Sequence, residues 1–200
     1  MVNAFKKLVT FRKNRRSNRG QSLVELAIVL ALLMFMVIAI VEYGFLLNEY
    51  LNLQDAGREA ARQASLGDPF LDNGSLDMGF FDDVSLLVDN FLDPIVMDPT
   101  RDDLVVSFFS VSGGAAVRFP DNDGWSRNGV KVSQLSTADV EARLNNSAPA
   151  TGVLLIELFY NYWQTMNLPV FSNVVPNPIP LYTFAIMPLS AAEPTPTPMP

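Results

Sequence analysis

The stretch GQSLVELAIVLALLMFMVIAIVEYGFLL, residues 20–47, decides the fold because it is apolar enough and long enough to cross a membrane. No charged residue occurs between positions 26 and 41, and only Glu42 interrupts the apolar character beyond them. A helix over residues 23–47 would rise about 37 Å, against a hydrocarbon core about 30 Å thick. The stretch therefore predicts one membrane span, with Glu25 and Glu42 near opposite faces of the bilayer.

The residues before this stretch are strongly basic. Residues 1–20 contain seven of the 14 Lys and Arg residues of the chain and none of its 21 Asp and Glu residues. Because Lys and Arg are retained on the cytoplasmic side of a membrane, we predict that residues 1–20 form a cytoplasmic leader and that the C-terminal part lies outside the cytoplasm. We favour this topology over nucleic-acid binding. Without the leader, seven basic side chains face 21 acidic ones, a balance of −14.

Gly20 lies at the junction between the basic leader and the apolar run. A secretory signal is cut after its apolar segment, whereas a cut after Gly20 would leave the helix in the mature protein and create a new amine at Gln21. Glycine suits such a cut because it lets a protease hold the chain without side-chain obstruction. An ordinary signal anchor with a glycine at this position is the alternative. Gly20, Glu25 and the apolar run in register favour a prepilin-type cleavage site at Gly20 and Gln21.

Glu25 and Glu42 are candidate residues for setting register in an assembly. An ionised side chain at mid-bilayer costs at least about 2.5 kcal/mol, so carboxylates at the ends of a span require a reason. For Glu42, a marker of the membrane interface and a role in assembly are equally supported. For Glu25 the assembly role is favoured, because the new amine at Gln21 of a neighbouring subunit would give it a charge partner among apolar helices.

An amphipathic helix is predicted to continue the span to residue 66 and to end at the Gly-Asp-Pro sequence of residues 67–69. Its apolar or small face recurs at spacings of three and four, and the candidate packing residues are Tyr50, Leu53, Gly57, Ala60 and Ala64. Alanines at every fourth position permit close approach of another helix. Packing on the protein's own domain and packing on another subunit are equally supported.

Residues 67–190 are predicted to form a small extracytoplasmic α+β domain with an antiparallel sheet. A loop with one or two short helices is expected over residues 67–103, a strand hairpin over 104–119, and a short helix capped by Ser136 or Thr137 over 136–145. A second strand pair is expected at 153–163 and 181–187, joined by a loop in which prolines, Pro180 among them, forbid regular structure. Residues 191–200 predict an extended proline-rich tail.

The composition argues against an enzyme. The chain has no histidine and no cysteine, which removes the commonest general base, thiol nucleophiles and the usual zinc ligands. The acidic stretches lack the ligand spacing of a calcium loop. Glu157, inside a hydrophobic strand, is predicted to face outward from a half-exposed sheet. We therefore predict no catalytic residue, no metal and no cofactor.

Taken together, residues 20–65 resemble the TadE-like family of minor pseudopilins of the tight-adherence, or Flp-type, pilus system. The resemblance rests on Gly20 to Glu25, on Val41-Glu42-Tyr43-Gly44, and on the helix DAGREAAR at residues 55–62. Members commonly have an aromatic residue after the first glutamate, where this chain has Leu26.

The resemblance implies cleavage by a prepilin peptidase after Gly20 and a role in assembling Flp-type pili. The implied partners are that peptidase, other pilin-like subunits, the inner-membrane assembly platform and membrane lipid, and the implied location is the inner membrane. Two alternatives stay open: an uncut membrane-anchored extracytoplasmic binding module, and a pseudopilin of type II secretion.

Overall fold

The computed structural model describes residues 18–112, 115–143, 152–166 and 175–189. The chain divides into two compact units, residues 1–41 and residues 42–200. The long helix α1, Asn18–Ala64, begins in the first unit and ends in the second. Among the described residues one helical stretch, Gly20–Ala64, is long and apolar enough to cross a membrane, and its most apolar window contains no buried residue. An exposed apolar window of this length is what a membrane span requires.

The second unit is built on a five-stranded antiparallel sheet. Its strands are β1 (Asp103–Ser112), β2 (Ala115–Phe119), β3 (Trp125–Ser126), β4 (Gly152–Tyr162) and β5 (Ile179–Leu189). Their order is β2-β1-β4-β5, and β3 also pairs with β1. The register pairs Ile156 of β4 with Val106 of β1 and with Ala185 of β5. Because successive strand residues point to opposite faces, each strand supplies two different cores.

Two helices cover one face of this sheet. The C-terminal half of α1 and the helix α2, Met78–Leu92, share a core with the β1 and β4 side chains at even-numbered positions. Asp77 caps α2 by accepting a hydrogen bond from the Gly79 amide, which satisfies one of the unpaired donors at a helix N-terminus. At Gly57 α1 packs closely on the sheet, since an added Cβ there would approach Leu158 Cδ1 to 3.3 Å.

The other face is covered by residues 126–136 and the short helix α3, Thr137–Glu141. Two buried carboxylates, Asp103 and Glu157, hold this segment in place. Asp103 accepts hydrogen bonds from Ser126 Oγ at 2.7 Å and from the amides of Val130 and Lys131 at 2.9 and 2.7 Å. Such bonds satisfy the backbone of an irregular segment that has no ladder of its own.

The predicted fold class is confirmed: a long N-terminal apolar helix precedes a small domain with an antiparallel sheet. Some expected elements differ in detail. Residues 67–103 contain one helix, α2, which agrees with the one or two expected but is 15 residues long, and the helix capped by Ser136 is only five residues long within the described segment. The predicted tail at residues 191–200 lies outside the described residues.

The expectation that Pro180 lies in an irregular loop is wrong, because Pro180 belongs to β5 and pairs with Asn161. Proline lacks an amide donor, but an edge strand can carry it where that donor would face away from the neighbouring strand. β5 is the last strand in the described order of the sheet, which explains the tolerance. The two-residue strand β3 was not predicted, since so short a segment has no readable alternation.

Candidate functional site: the α1 helix and the Glu42 cluster

The predicted cleavage junction lies in the first turns of α1. Gly20 and Gln21 are helical and exposed, and Gln21 Nε2 donates a hydrogen bond to Glu25 Oε1 at 3.3 Å. Most of the basic leader, residues 1–17, lies outside the described residues. Since α1 begins at Asn18, a peptidase that needs an extended chain at Gly20 would have to unwind the first turn of the helix.

Glu42 has a different environment, because the domain's own backbone binds its carboxylate. Oε1 accepts hydrogen bonds from the Tyr162 hydroxyl at 2.7 Å and from the Thr165 amide at 2.9 Å, and Oε2 accepts one from the Met166 amide at 2.8 Å. We call Glu42, Tyr162, Thr165 and Met166 the Glu42 cluster. Hydrogen bonds to an ionised acceptor are stronger than neutral ones. The cluster therefore ties the helix residue that follows the uncharged stretch to the end of β4.

A second carboxylate and tyrosine pair lies beside this cluster. Glu49 follows Glu42 by seven residues, which is two helical turns and places both on one face of α1. Tyr160 and Tyr162 are two residues apart and so share one face of β4. Burial, and then the negative charge of Glu49, raise the pKa of Tyr160 to about 12, and burial raises the pKa of Tyr162 as well. Both hydroxyls therefore remain protonated donors at neutral pH.

These tyrosines were not singled out from the sequence. The signal that could have found them is the alternation of β4, in which even-numbered positions from Leu154 to Tyr162 share one face. Since Leu154, Ile156 and Leu158 lie in the core with α1, the same face should present Tyr160 and Tyr162 to that helix. A buried tyrosine hydroxyl needs a partner. The two glutamates of α1 at heptad spacing supply acceptors of the right reach.

The structure places most of the predicted packing residues in the core of the second unit. Leu53, Gly57, Ala60 and Ala64 are buried, with Ala60 wholly inaccessible, whereas Tyr50 is half-buried. The domain's own sheet and α2 provide this burial. Of the two uses considered for the small-residue face, packing on the protein's own domain accounts for these four positions.

The prediction that Glu157 faces outward is wrong, because its side chain is completely buried. Glu157 Oε1 accepts hydrogen bonds from the Tyr182 hydroxyl at 2.7 Å and the Gln134 amide at 2.9 Å, and Oε2 accepts one from Ser133 Oγ. Residues 126–136 cover the face that was expected to meet solvent. All of these donors belong to the fold, so Glu157 has a structural role.

The buried cation beside Glu157 is Arg118. Its guanidinium lies 3.9 Å from Glu157 Oε2, bonds Ser107 Oγ at 2.6 Å and donates to the Leu135 carbonyl at 2.9 Å. Burial lowers the pKa of Arg118, and the charge of Glu157 opposes that effect. Among the described residues no group of three or more Asp or Glu side chains is arranged to hold a metal ion.

Comparison with known proteins bears on the N-terminal segment. No curated protein and no solved structure matches the chain. A family model does match, and its range includes the junction, the apolar stretch, Glu42 and most of the buried face of α1. Such a match indicates a component associated with the Tad pilus, and the apolar stretch of α1 indicates a membrane anchor. The predicted resemblance is thus confirmed for this segment, since residues 20–62 match the family of TadE-like proteins.

Proposed function

We propose that this protein is a minor pseudopilin-like component of Flp-type pilus assembly, cut by a prepilin peptidase after Gly20 and acting through packing of its N-terminal helix. The observation that carries the proposal is the exposed apolar surface of α1 over residues 20–41, in register with Gly20 and Glu25 and inside the TadE-like match. A soluble protein would bury such a surface. A subunit that is held first in a membrane and then among other helices does not need to bury this surface within its own fold.

The apolar side chains of α1 are buried in its C-terminal part and exposed in its N-terminal part, and this difference supports the proposed mechanism. From Leu53 to Ala64 the apolar face is already occupied by the domain's own core. Large apolar side chains such as Leu23, Ile28 and Leu32 are more than half exposed. Contacts with other pilin-like subunits are therefore expected from residues 26–41 and not from the whole of residues 26–64.

The geometry also fits a single-pass topology in the inner membrane. Residues 20–41 rise about 33 Å as a helix, close to the roughly 30 Å of a hydrocarbon core. The basic leader would remain in the cytoplasm, and Glu42 would mark the opposite surface, where the extracytoplasmic domain begins. Assembly partners at this location are the peptidase, pilin-like subunits and the inner-membrane assembly platform. No catalytic step is assigned to the protein itself.

Cleavage is tested by mass and N-terminal sequence of the protein recovered from membranes of cells with and without the prepilin peptidase. We expect an N-terminus at Gln21 only when the peptidase is present. Gly20→Leu should block the cut, because a side chain then stands where the protease must hold the chain. Gly44→Leu is the matched control, since a Cβ at Gly44 meets nothing within 4 Å. An intact leader in wild-type cells would leave only an uncut membrane-anchored module.

Assembly is tested by photo-crosslinking in the same cells. A crosslinking residue at Leu32 should capture pilin-like subunits, whereas one at Val117 should not. The two side chains are a matched pair because both are 59% exposed, so a difference in capture reflects location and not accessibility. Equal capture at both positions, or capture at neither, would contradict assembly through the N-terminal helix.

A further inference from the structure

One end of the sheet is fixed next to the predicted membrane surface. The Glu42 cluster holds Thr165 and Met166 against the residue that directly follows the uncharged stretch. The antiparallel pairing of Asp103 with Phe159 brings the start of β1 to this same end. If α1 spans the membrane, as the proposed function requires, this end of the domain lies at the outer surface of the bilayer.

This end presents an exposed indole with a cation beside it. Trp163 is 50% exposed and Met166 is 44% exposed. The Arg101 guanidinium carbon lies 5.0 Å from the centre of the Trp163 ring, within the range of a cation–π contact. In the described part of the chain Arg101 forms one ion pair, a long one in which its Nε lies 3.8 Å from Asp98 Oδ2. Its guanidinium therefore keeps donors for another anionic group.

Hydrogen bonds fix the position of this pair. The Asn161 side-chain amide donates to the Arg101 carbonyl at 2.9 Å, and the Asn161 backbone amide donates to Asp102 Oδ1 at 2.8 Å. The loop that carries Arg101 is thus attached to the end of β4 that carries Trp163. A rigid placement lowers the entropy that an interface has to overcome on binding.

We propose that Trp163 and Met166 insert into the headgroup region of the outer leaflet, with Arg101 beside them reaching lipid phosphate. Tryptophan is enriched at membrane interfaces because its ring is apolar and its N–H group is polar. Arginine recognises phosphate through its planar set of donors and can keep its charge in the headgroup layer while its stem lies in apolar surroundings. The occupant is lipid, because this surface continues from the end of the span. A neighbouring subunit is the competing occupant.

The chain offers a matched pair of fluorescent probes, since it has two tryptophans. Trp125→Phe leaves Trp163 as the only indole. Trp163→Phe leaves Trp125, which is half-buried against the core and stacks on Phe81 with ring centres 5.3 Å apart. Each full-length variant is reconstituted at low protein density into phosphatidylcholine and phosphatidylglycerol vesicles whose acyl chains are brominated near the glycerol. Vesicle flotation reports insertion of the helix, and quenching by bromine reports contact of each indole with lipid.

We expect the vesicles to quench most of the emission of Trp163 and to leave that of Trp125 nearly unchanged. Acrylamide in the water should quench Trp163 less in vesicles than in detergent. Protein that floats with unquenched Trp163 would overturn the lipid contact and leave the proposed function standing. Shielding of Trp163 only at high protein density would indicate a contact with another subunit, which would also overturn the lipid contact and leave the proposed function standing. Protein that does not float would overturn the span and this proposal with it. Cleavage at Gly20 is read separately.

Discussion

Replacing Glu42 by alanine should release the end of β4 from α1. The carboxylate accepts three hydrogen bonds, from the buried Tyr162 hydroxyl and from the amides of Thr165 and Met166. Tyr162 is 1% exposed and the other hydrogen-bond neighbour of its hydroxyl, Thr165 Oγ1, lies 3.4 Å away, so the lost acceptor is poorly replaced. The two amides are at an exposed site, where water can replace the lost acceptor.

These environments set the size of the effect. A hydrogen bond to a charged group contributes about 1.5–3 kcal/mol net to stability. Because water can replace two of the three bonds, we expect the total loss to be close to that of one such bond, about 2 kcal/mol. If opening of this segment is limited by the Glu42 cluster, the Thr165 and Met166 amides should exchange hydrogen about 30-fold faster, since 1.4 kcal/mol corresponds to a factor of ten.

Hydrogen exchange followed by mass spectrometry or NMR on the full-length protein in detergent measures this change. Glu59→Ala is the matched control, because within the described part of the chain Glu59 bonds neighbours on its own helix, Arg62 and Gln63. Glu42→Gln gives a sharper test: its single carbonyl oxygen cannot serve both amides in the present geometry, so one of them should lose protection. Unchanged exchange at both amides in Glu42→Ala and Glu42→Gln would refute the assigned role of Glu42.

Three further predictions concern the domain. Glu157→Gln should lower the free energy of unfolding by about 3–5 kcal/mol, because it leaves the Arg118 charge buried without its counter-charge, and equal stability in urea would contradict this. Gly57→Val should destabilise by about 1–3 kcal/mol, since even a Cβ there would lie 3.3 Å from a β4 leucine, while Gly44→Val should be neutral in the same thermal melt. The stability that depends on neutral Tyr160 should be complete below the ordinary tyrosine pKa of 10.0 and be lost as the pH rises toward about 12. Tyr160→Phe should remove the part of the alkaline loss of stability that comes from ionisation of Tyr160. Identical profiles of stability against pH for the wild type and Tyr160→Phe would contradict this assignment.

Local patterns allowed much of the fold to be predicted. The membrane span, the continuing helix and four of the five strands follow from apolar periodicity, which depends on neighbouring residues. The Glu42 cluster could not be found in this way, because Glu42 and Tyr162 are 120 residues apart in the chain. A single sequence contains no direct signal for a contact over that separation. The helix face of Glu42 and the strand face of Tyr162, which periodicity does predict, limit the residues that each of them could contact.

The sequence around Glu157 contains a signal for its burial. β4 reads Val153 to Phe159 as an almost unbroken apolar run, and such runs are typical of strands covered on both faces. Alternation would have been expected if one face met solvent. A carboxylate inside such an apolar run is therefore expected to lie in the interior, with a cation and several hydrogen-bond donors around it.

The two glutamates that the sequence suggests for axial register, Glu25 and Glu42, have different environments in the structure. Glu42 has its carboxylate engaged by three donors from its own domain, so a partner subunit that used it would first have to break those bonds. Glu25 is exposed, and among the described residues its side chain accepts a hydrogen bond from Gln21 at 3.3 Å, the residue whose amine a cut after Gly20 would release. If axial register between subunits depends on a carboxylate, it should therefore depend on Glu25. Glu25→Gln should then abolish crosslinking at Leu32 without changing hydrogen exchange at Thr165 or Met166. Glu42→Gln should leave that crosslinking unchanged and speed hydrogen exchange at one of these two amides. Loss of crosslinking in Glu42→Gln alone would show that the domain gives up its hold on Glu42 during assembly.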